Sequence, residues 1–145
     1  MTPRIGWLLD SFGHSSTNAR IYADIGLEAL FVGRLDIRDK EKRFAEKSMN
    51  VLWRPYSKHF GDQNQILLSA FHDHYCFPPG FYVDERYDAD TPFIDDPTLK
   101  TYNAEDKMVE LVNYLQVQAT HRRERHLILP WGCDFTFSNA KLNYD

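Results

Sequence analysis

The chain has 145 residues, of which 43% are hydrophobic and 26% charged, and its formal net charge is −4. This profile is typical of one soluble globular domain, and no apolar stretch approaches the roughly 18 residues that a membrane span requires. Nucleic acid is not an expected partner, because no long basic tract occurs. The densest basic patch, residues 122–125, is interrupted by a glutamate and predicts a solvated helix end.

Strand and helix signals alternate over the first 54 residues. Apolar runs predict the strands, N-cap candidates at Ser15, Ser16 and Thr17 begin the first helix, and Gly26 ends it. The predicted order is strand 5–9, the first helix, strand 29–32, a charged helix over 36–47 and strand 50–54. This βαβαβ order predicts a parallel α/β core.

The rest of the chain carries one clear helix signal. Apolar residues at i, i+3, i+4 and i+7 predict an amphipathic helix over about 104–121. Before it, residues 65–70 suit a strand or a helix, and residues 71–97, rich in Pro, Asp and aromatics, predict a long functional loop. After it, residues 126–130 predict a fourth strand. The predicted apolar face of the helix consists of Met108, Leu111, Val112 and Leu115.

The cysteines and the N-terminus do not determine the cellular compartment of the protein. Cys76 and Cys133 lack the spacing of a metal site, and both two free thiols and one disulfide suit them. Residues 1–4 lack the charged, apolar and small-residue regions of a signal peptide. These features suit a cytosolic protein and equally an internal piece of a longer secreted one.

Two carboxylates occupy the same context, since Asp10 and Asp134 each follow a predicted strand. The carboxyl ends of parallel strands gather on one face of an α/β fold, so residues far apart in sequence can meet there. Two carboxylates that flank a glycosidic bond can hydrolyse it, and a gap of roughly 5–5.5 Å makes one the nucleophile of a retaining enzyme. The alternative for each residue is an ordinary helix N-cap.

The segment around the first carboxylate, Arg4-Ile5-Gly6-Trp7-x-x-Asp10-x-Phe12-Gly13-His14-Ser15, resembles glycoside hydrolase family 38, the retaining zinc-dependent α-mannosidases, and most closely the lysosomal-type enzymes. The likeness implies that residues 1–145 are a partial N-terminal catalytic domain, a portion of an α/β barrel with parallel strands and flanking helices. It continues in register through residues 30–36, 51–54, 75–81, 102–104 and 132–135.

The resemblance implies a role for five residues. Asp10 matches the catalytic nucleophile, which is also a zinc ligand, and Asp134 matches the general acid/base. Phe12, Arg34 and Tyr75 match positions that contact the sugar. The implied reaction is hydrolysis of terminal α-linked mannose from N-glycans, with zinc orienting the sugar through its 2- and 3-hydroxyls, and with the charge of Arg34 favouring the ionised form of Asp10. The implied partner is a mannose-containing glycan, and the implied compartment is the lysosome or the secretory-pathway lumen.

The chain also departs from the family pattern. Ser11 stands where the family usually has Pro, which would make the turn more rigid. The family's zinc site also uses a His-x-Asp pair and a distant His that this sequence does not contain, so we expect an incomplete zinc site and little or no activity from the isolated chain. His72-Asp73-His74 predicts ordinary polar loop residues rather than a substitute metal site, and His14 predicts a structural hydrogen bond. The alternative function is a non-catalytic fragment that binds glycans or a partner.

Overall fold

The structure, a computed structural model, describes residues 2–84 and 92–144. These residues form two compact units. The first unit contains residues 2–74 and 120–125, and the second contains residues 75–84, 92–119 and 126–144. Within the part of the chain that is described, no helix is both long and apolar enough to cross a membrane.

A four-stranded mixed sheet forms the centre of the first unit. Its strands are β1 (Ile5–Leu8), β2 (Ala29–Val32), β3 (Asn50–Trp53) and β4 (Ile66–Ala70), in the order β1-β2-β4-β3. The three strands predicted within residues 1–54 are therefore present, and residues 65–70, for which a strand and a helix were both open, contain a strand. β1, β2 and β4 are parallel neighbours. The fold is α/β, and the sheet is open in the described residues, with β1 and β3 at its edges.

The prediction of a wholly parallel core is wrong for β3, which pairs antiparallel with β4. The connection between these strands holds only the one-turn helix α3 (Ser57–Phe60). A parallel crossover needs a dozen or more residues and usually a full helix that packs on the sheet. The connection, residues 54–65, has no full helix of this kind, and the chain returns beside β3 in the opposite direction.

The two longer helices of the first unit, α1 and α2, begin where the sequence predicts. Helix α1 (Ser16–Asp24) is capped by the Ser15 hydroxyl, which accepts a hydrogen bond from the Thr17 amide over 3.2 Å. Helix α2 (Ile37–Glu46) is capped by Asp36, whose carboxylate accepts from the amide of Arg38 over 3.0 Å. These caps satisfy amides that have no partner within the helix.

The hydrophobic core lies on one face of this sheet. Leu30, Val32 and Ile66 are almost fully buried there, together with Ala19 of α1. Side chains alternate between the two faces of a strand, so the neighbouring residues point to the other face. That face carries exposed apolar side chains: Ile5 is 50% exposed, Trp7 57%, Leu52 54% and Leu67 42%.

The predicted long helix is present as α4 (Ala104–Thr120), but its predicted apolar face is wrong for two of its four residues, since Leu111 and Leu115 are half-buried and the other two are exposed. Met108 is 62% exposed and Val112 46%, whereas Lys107 and Gln118 are buried. The Lys107 ammonium donates to the Gly80 carbonyl over 3.2 Å and to Glu110 over 2.9 Å. Hydrogen bonding allows a polar side chain to occupy the packed side of the helix.

The predicted strand over residues 126–130 is also wrong, since these residues form no strand. A short apolar run does not by its pattern distinguish a strand from irregular backbone. The run leads into Trp131, whose ring packs edge-on against Phe77 at a centroid distance of 6.0 Å and Phe81 at 6.2 Å. The loop predicted over residues 71–97 is irregular where it is described, and residues 85–91 lie outside the described residues. The last element of the second unit is a short helix, α5 (Ala140–Tyr144).

The solvated helix end predicted at residues 122–125 is wrong for its first residue. Arg122 is 9% exposed, and its guanidinium donates to the Ala70 carbonyl and to Asn50 Oδ1. Both acceptors belong to strands of the first unit, β4 and β3. Arg122 therefore ties the segment after α4 to the sheet, whereas residues 123–125 are exposed.

Candidate functional site

Asp10 and Arg34 lie at the carboxyl ends of neighbouring parallel strands. Leu8 ends β1 and is in register with Val32, which ends β2. Asp10 follows two residues after the first strand, and Arg34 follows two residues after the second. Equal offsets from two strands in register bring the two side chains to the same edge of the sheet.

The guanidinium of Arg34 contacts Asp10 through two nitrogens. Nε donates to Asp10 Oδ1 over 2.6 Å, and a terminal nitrogen lies 2.6 Å from the same oxygen. The guanidinium carbon also lies 4.5 Å from the centroid of the Phe12 ring, a cation–π contact. Three of the five predicted site residues thus form one contact group, and the Phe12 side chain is 83% exposed.

His14 supports this group through the backbone, as its predicted structural role requires. Its Nε2 lies 2.7 Å from the carbonyl oxygen of Arg34, so the ring donates from Nε2. The bond joins the loop after β1 to the loop after β2, which are the loops that carry Asp10 and Arg34. The half-buried ring of His14 thus links the two loops through this hydrogen bond.

A cavity of about 960 Å³ opens in the first unit beside the contact group. Phe12 and Arg34 contribute to its wall, while Asp10 is not among its lining residues. The wall carries an aromatic ring from Trp53 and charges of both signs, which include Lys40 and Asp39. Mixed charges and aromatic faces suit a polyhydroxylated ligand, because hydroxyls pair with the charges and the apolar face of a sugar stacks on a ring.

The second unit contains the other two predicted residues. The hydroxyl of Tyr75 donates to Asp134 Oδ1 over 2.8 Å, and the Tyr75 side chain is buried. A disulfide joins Cys76 to Cys133, which settles the alternatives that the sequence left open. The pairing of Asp134 with Asp10, a residue of the first unit, remains a prediction.

The turn that holds Asp134 has an unusual backbone. Phe135 and Phe137 both have φ of 59°, in the left-handed region that residues other than glycine rarely adopt. Thr136 Oγ1 accepts from the Cys133 amide over 3.0 Å and donates to the Cys133 carbonyl over 2.9 Å. Asp84 accepts from the Phe137 amide over 2.7 Å. Strained backbone that its surroundings hold in place is typical of functional sites. No signal in the sequence indicates that Asp84 holds this turn.

The described residues do not form a zinc site by themselves. No three His, Cys, Asp or Glu side chains among them group as metal ligands would, whereas catalytic zinc takes three protein ligands. Asp10, the predicted ligand, is engaged by Arg34. We therefore derive no step of a reaction through zinc.

His72 is not the ordinary polar loop residue that the sequence predicted. Its buried ring stacks on Phe44 at a centroid distance of 4.7 Å and on His121 at 5.1 Å. Burial lowers the pKa of His72 from its usual value, because an imidazolium loses hydration there, and Asp73 opposes this effect. The ring is part of the packing of the first unit.

Comparison with known proteins identifies the family. The family description that matches is "Glycosyl hydrolases family 38 N-terminal domain", over residues 1–145. The chain is 37% identical over 142 residues to a lysosomal alpha-mannosidase of Dictyostelium discoideum, an alignment that covers 98% of this chain. It is 40% identical over 146 residues to a probable alpha-mannosidase of Arabidopsis thaliana, with 99% of this chain covered.

A human relative extends the comparison. The chain is 29% identical over 140 residues to the lysosomal alpha-mannosidase of Homo sapiens, with 97% of this chain covered. In all three cases the chain spans about 14% of the relative's length. The match to the family description over every residue nevertheless defines its membership: the chain belongs to glycosyl hydrolase family 38, the alpha-mannosidase family, within its N-terminal domain.

Proposed function

We propose that this chain supplies the nucleophile and the acid/base of a retaining α-mannosidase that removes terminal α-linked mannose from N-glycans. The observation that carries the proposal is the contact group at the sheet edge, where Arg34 holds Asp10 beside the exposed ring of Phe12. Family membership supports the same assignment. Asp134, beside Tyr75, is the second carboxylate.

The two carboxylates divide the reaction between them. Asp10 attacks the anomeric carbon, and the glycosidic oxygen leaves with a proton from Asp134. The first step leaves the sugar bonded to Asp10. Asp134 then takes a proton from water, which attacks the anomeric carbon, breaks its bond to Asp10 and releases mannose with its configuration retained. Arg34 keeps Asp10 oriented as an anion, and the Phe12 ring offers a stacking face to the sugar.

We also propose that the sheet of the first unit is part of a closed α/β barrel. The face opposite the core supports this, since it exposes the apolar side chains of Ile5, Trp7, Leu52 and Leu67. Apolar side chains that point inward fill the interior of such barrels. The lysosome or the secretory lumen is the proposed compartment: relatives named lysosomal alpha-mannosidase support it, and the Cys76–Cys133 disulfide is consistent with an oxidising environment.

A hybrid enzyme tests the catalytic assignment. Residues 1–145 replace the matching segment of the Dictyostelium lysosomal alpha-mannosidase, and turnover of aryl α-mannosides is measured with zinc present. We expect Asp10→Asn to abolish turnover of every substrate. Asp134→Asn should lower turnover about 10²–10⁴-fold for substrates with a poor leaving group. The decrease should be far smaller for substrates whose leaving group has a low pKa and departs without a proton.

The leaving-group pattern separates the two roles from loss of folding. A misfolded hybrid loses turnover of all substrates equally. An acid/base variant loses more turnover as the pKa of the leaving group rises. Asp62→Asn serves as the matched control, because Asp62 is another exposed carboxylate of the first unit that pairs with an arginine, Arg54, and it does not line the cavity. Full turnover of the Asp10→Asn hybrid, or equal losses for Asp134→Asn on both kinds of substrate, contradicts the proposal.

The cavity of the first unit favours a second candidate, a glycan-binding module without catalysis. Its wall joins Trp53 to charged residues of α2, a combination that binds sugars without any carboxylate pair. Calorimetric titration of the 145-residue chain with mannose and oligomannose distinguishes the two. Binding that survives Asp10→Asn and is lost in Trp53→Ala, with a hybrid that is inactive, favours the module.

A further inference from the structure

The disulfide of the second unit lies directly beside the hydrogen-bonded pair. Cys76 follows Tyr75 in sequence, and Cys133 precedes Asp134. The Cα atoms of the cysteines are 4.3 Å apart, and the Tyr75 hydroxyl donates to Asp134 over 2.8 Å. A covalent link and a hydrogen bond therefore join the same two segments at consecutive residues, although the cysteines are 57 positions apart in sequence.

We propose that the Cys76–Cys133 disulfide is a positioning device for Asp134, which keeps its carboxylate within reach of the Tyr75 hydroxyl. The role of Asp134 in catalysis rests on the proposed function. Consecutive Cα atoms are about 3.8 Å apart, so Tyr75 and Asp134 each stay within one Cα–Cα step of a cross-linked cysteine. The cross-link thus limits the positions that the Asp134 carboxylate can take relative to its hydrogen-bond donor, the Tyr75 hydroxyl.

On the C-terminal side of Asp134, a hydrogen bond rather than a disulfide holds the turn. Asp84 accepts a hydrogen bond from the amide of Phe137, three residues after Asp134. Phe135 and Phe137 adopt left-handed backbone between these two points, a conformation that persists only where the surroundings enforce it. Asp134 therefore lies between a covalent anchor on one side and a hydrogen-bonded anchor on the other, and opening the disulfide releases the covalent one.

Aromatic packing is the competing explanation for the position of Asp134. The Phe77 ring lies 6.0 Å from both the Trp131 and the Phe137 rings, in edge-on contacts that join the same two segments. If these contacts alone hold the segments together, the disulfide is redundant for the hydrogen bond. An experiment must therefore open the disulfide and leave the rings in place.

Carbon-13 NMR of the tyrosine rings measures the hydrogen bond directly. The 145-residue chain is labelled at tyrosine Cζ, and of the eight tyrosine signals the one that disappears in Tyr75→Phe belongs to Tyr75. We expect Asp134→Asn to shift this signal, because a neutral amide oxygen accepts more weakly than a carboxylate. Dithiothreitol then supplies two electrons and two protons, converts the disulfide to two thiols and becomes a cyclic disulfide itself. The Tyr75 signal of the reduced chain should move to the position that it has in Asp134→Asn.

Two controls distinguish the effect of opening the disulfide from other effects of the reductant and from unfolding. The Cys76→Ser/Cys133→Ser chain should show the shifted signal without reductant and no further change with it. The backbone amide signals of α4 report whether the second unit stays folded; if the isolated double variant unfolds, the same variant of the hybrid enzyme gives the comparison through its kcat. A Tyr75 signal that keeps its oxidised position in the reduced, folded chain overturns the proposal.

The hybrid enzyme separates failure of this inference from failure of the proposed function. The Cys76→Ser/Cys133→Ser hybrid should lose about tenfold in kcat on substrates with a poor leaving group, with little change on those with a leaving group of low pKa. If the Tyr75 signal responds to reduction while Asp134→Asn leaves turnover intact, the proposed function fails and the positioning of Asp134 stands. If turnover depends on Asp134 and neither the signal nor kcat responds to the loss of the disulfide, the inference alone fails.

Discussion

Arg34 places two guanidinium nitrogens 2.6 Å from a single carboxylate oxygen of Asp10. Two charge-assisted contacts to Oδ1 hold this oxygen at a defined position relative to the guanidinium. The proposed role of Asp10 as a nucleophile requires such orientation, because the reacting oxygen has to lie in line with the bond that it displaces.

The first prediction follows from the exposure of this ion pair. The side chains of Arg34 and Asp10 are 35% and 58% exposed, and such pairs contribute at most about 1 kcal/mol to stability. Arg34→Ala should therefore lower the free energy of unfolding of the chain by less than about 1 kcal/mol, measured by urea unfolding. In the hybrid enzyme the same change should lower kcat/KM by at least tenfold.

Arg34→Lys makes the comparison sharper, since it keeps the charge and removes the planar fork. We expect it to restore little of the lost kcat/KM. Arg4→Ala is the matched control, because it removes another exposed ion pair of the first unit, with Glu28. If Arg34→Lys recovers full turnover, the charge rather than the geometry of the contact is what matters.

The second prediction concerns the pH dependence of stability. Burial lowers the pKa of His72 below its usual value of 6.5, with smaller contributions from the positive charges of Lys40 and Arg122 and from His121. The folded chain then binds the proton more weakly than the unfolded chain. As the pH falls below 6.5 towards the folded pKa, the unfolded chain takes up more protons, and stability declines by up to about 1.4 kcal/mol per pH unit.

Urea unfolding between pH 5 and pH 8 measures this slope. His72→Phe keeps the ring stack on Phe44 and cannot be protonated, so it should flatten the slope over this range. His59→Gln is the control, since His59 is an exposed histidine of the same unit and its loss should leave the slope in place. An unchanged slope in His72→Phe would show that another group is responsible.

The sequence predicts local elements of this protein better than their pairing. Strands β1 and β2 and their helices follow from apolar runs and caps within a few residues, and the proximity of Asp10 and Arg34 follows from two parallel strands in register. The antiparallel direction of β3 depends on how the short connection to β4 packs, which no local pattern encodes. The buried side of α4 depends on a hydrogen bond from Lys107 to Gly80, 27 positions away.

The third prediction concerns the disulfide as a source of stability. A cross-link between positions 57 apart restricts the unfolded chain and contributes up to about 4 kcal/mol in the chain-entropy description. Cys76→Ala/Cys133→Ala should therefore destabilise the second unit by about 2–4 kcal/mol. Fluorescence of Trp131 in a Trp7→Phe/Trp53→Phe background reports that unit alone, and the same background with the disulfide intact is the control. A loss below about 1 kcal/mol would mean that the unfolded chain is already compact.

The last prediction compares two neighbouring arginines, Arg122, which is buried, and Arg123, which is exposed. Arg122 donates to the Ala70 carbonyl and to Asn50 Oδ1 from a side chain with almost no exposure. Arg122→Met keeps most of the apolar stem and leaves both acceptors without this donor, so the first unit should lose about 2–3 kcal/mol of unfolding free energy. Arg123 makes one exposed hydrogen bond, to the Glu46 carbonyl over 3.0 Å, and Arg123→Met should cost less than about 1 kcal/mol. Urea unfolding of the two variants in parallel checks the difference, and equal losses would mean that burial of Arg122 contributes nothing beyond the loss of one positive charge.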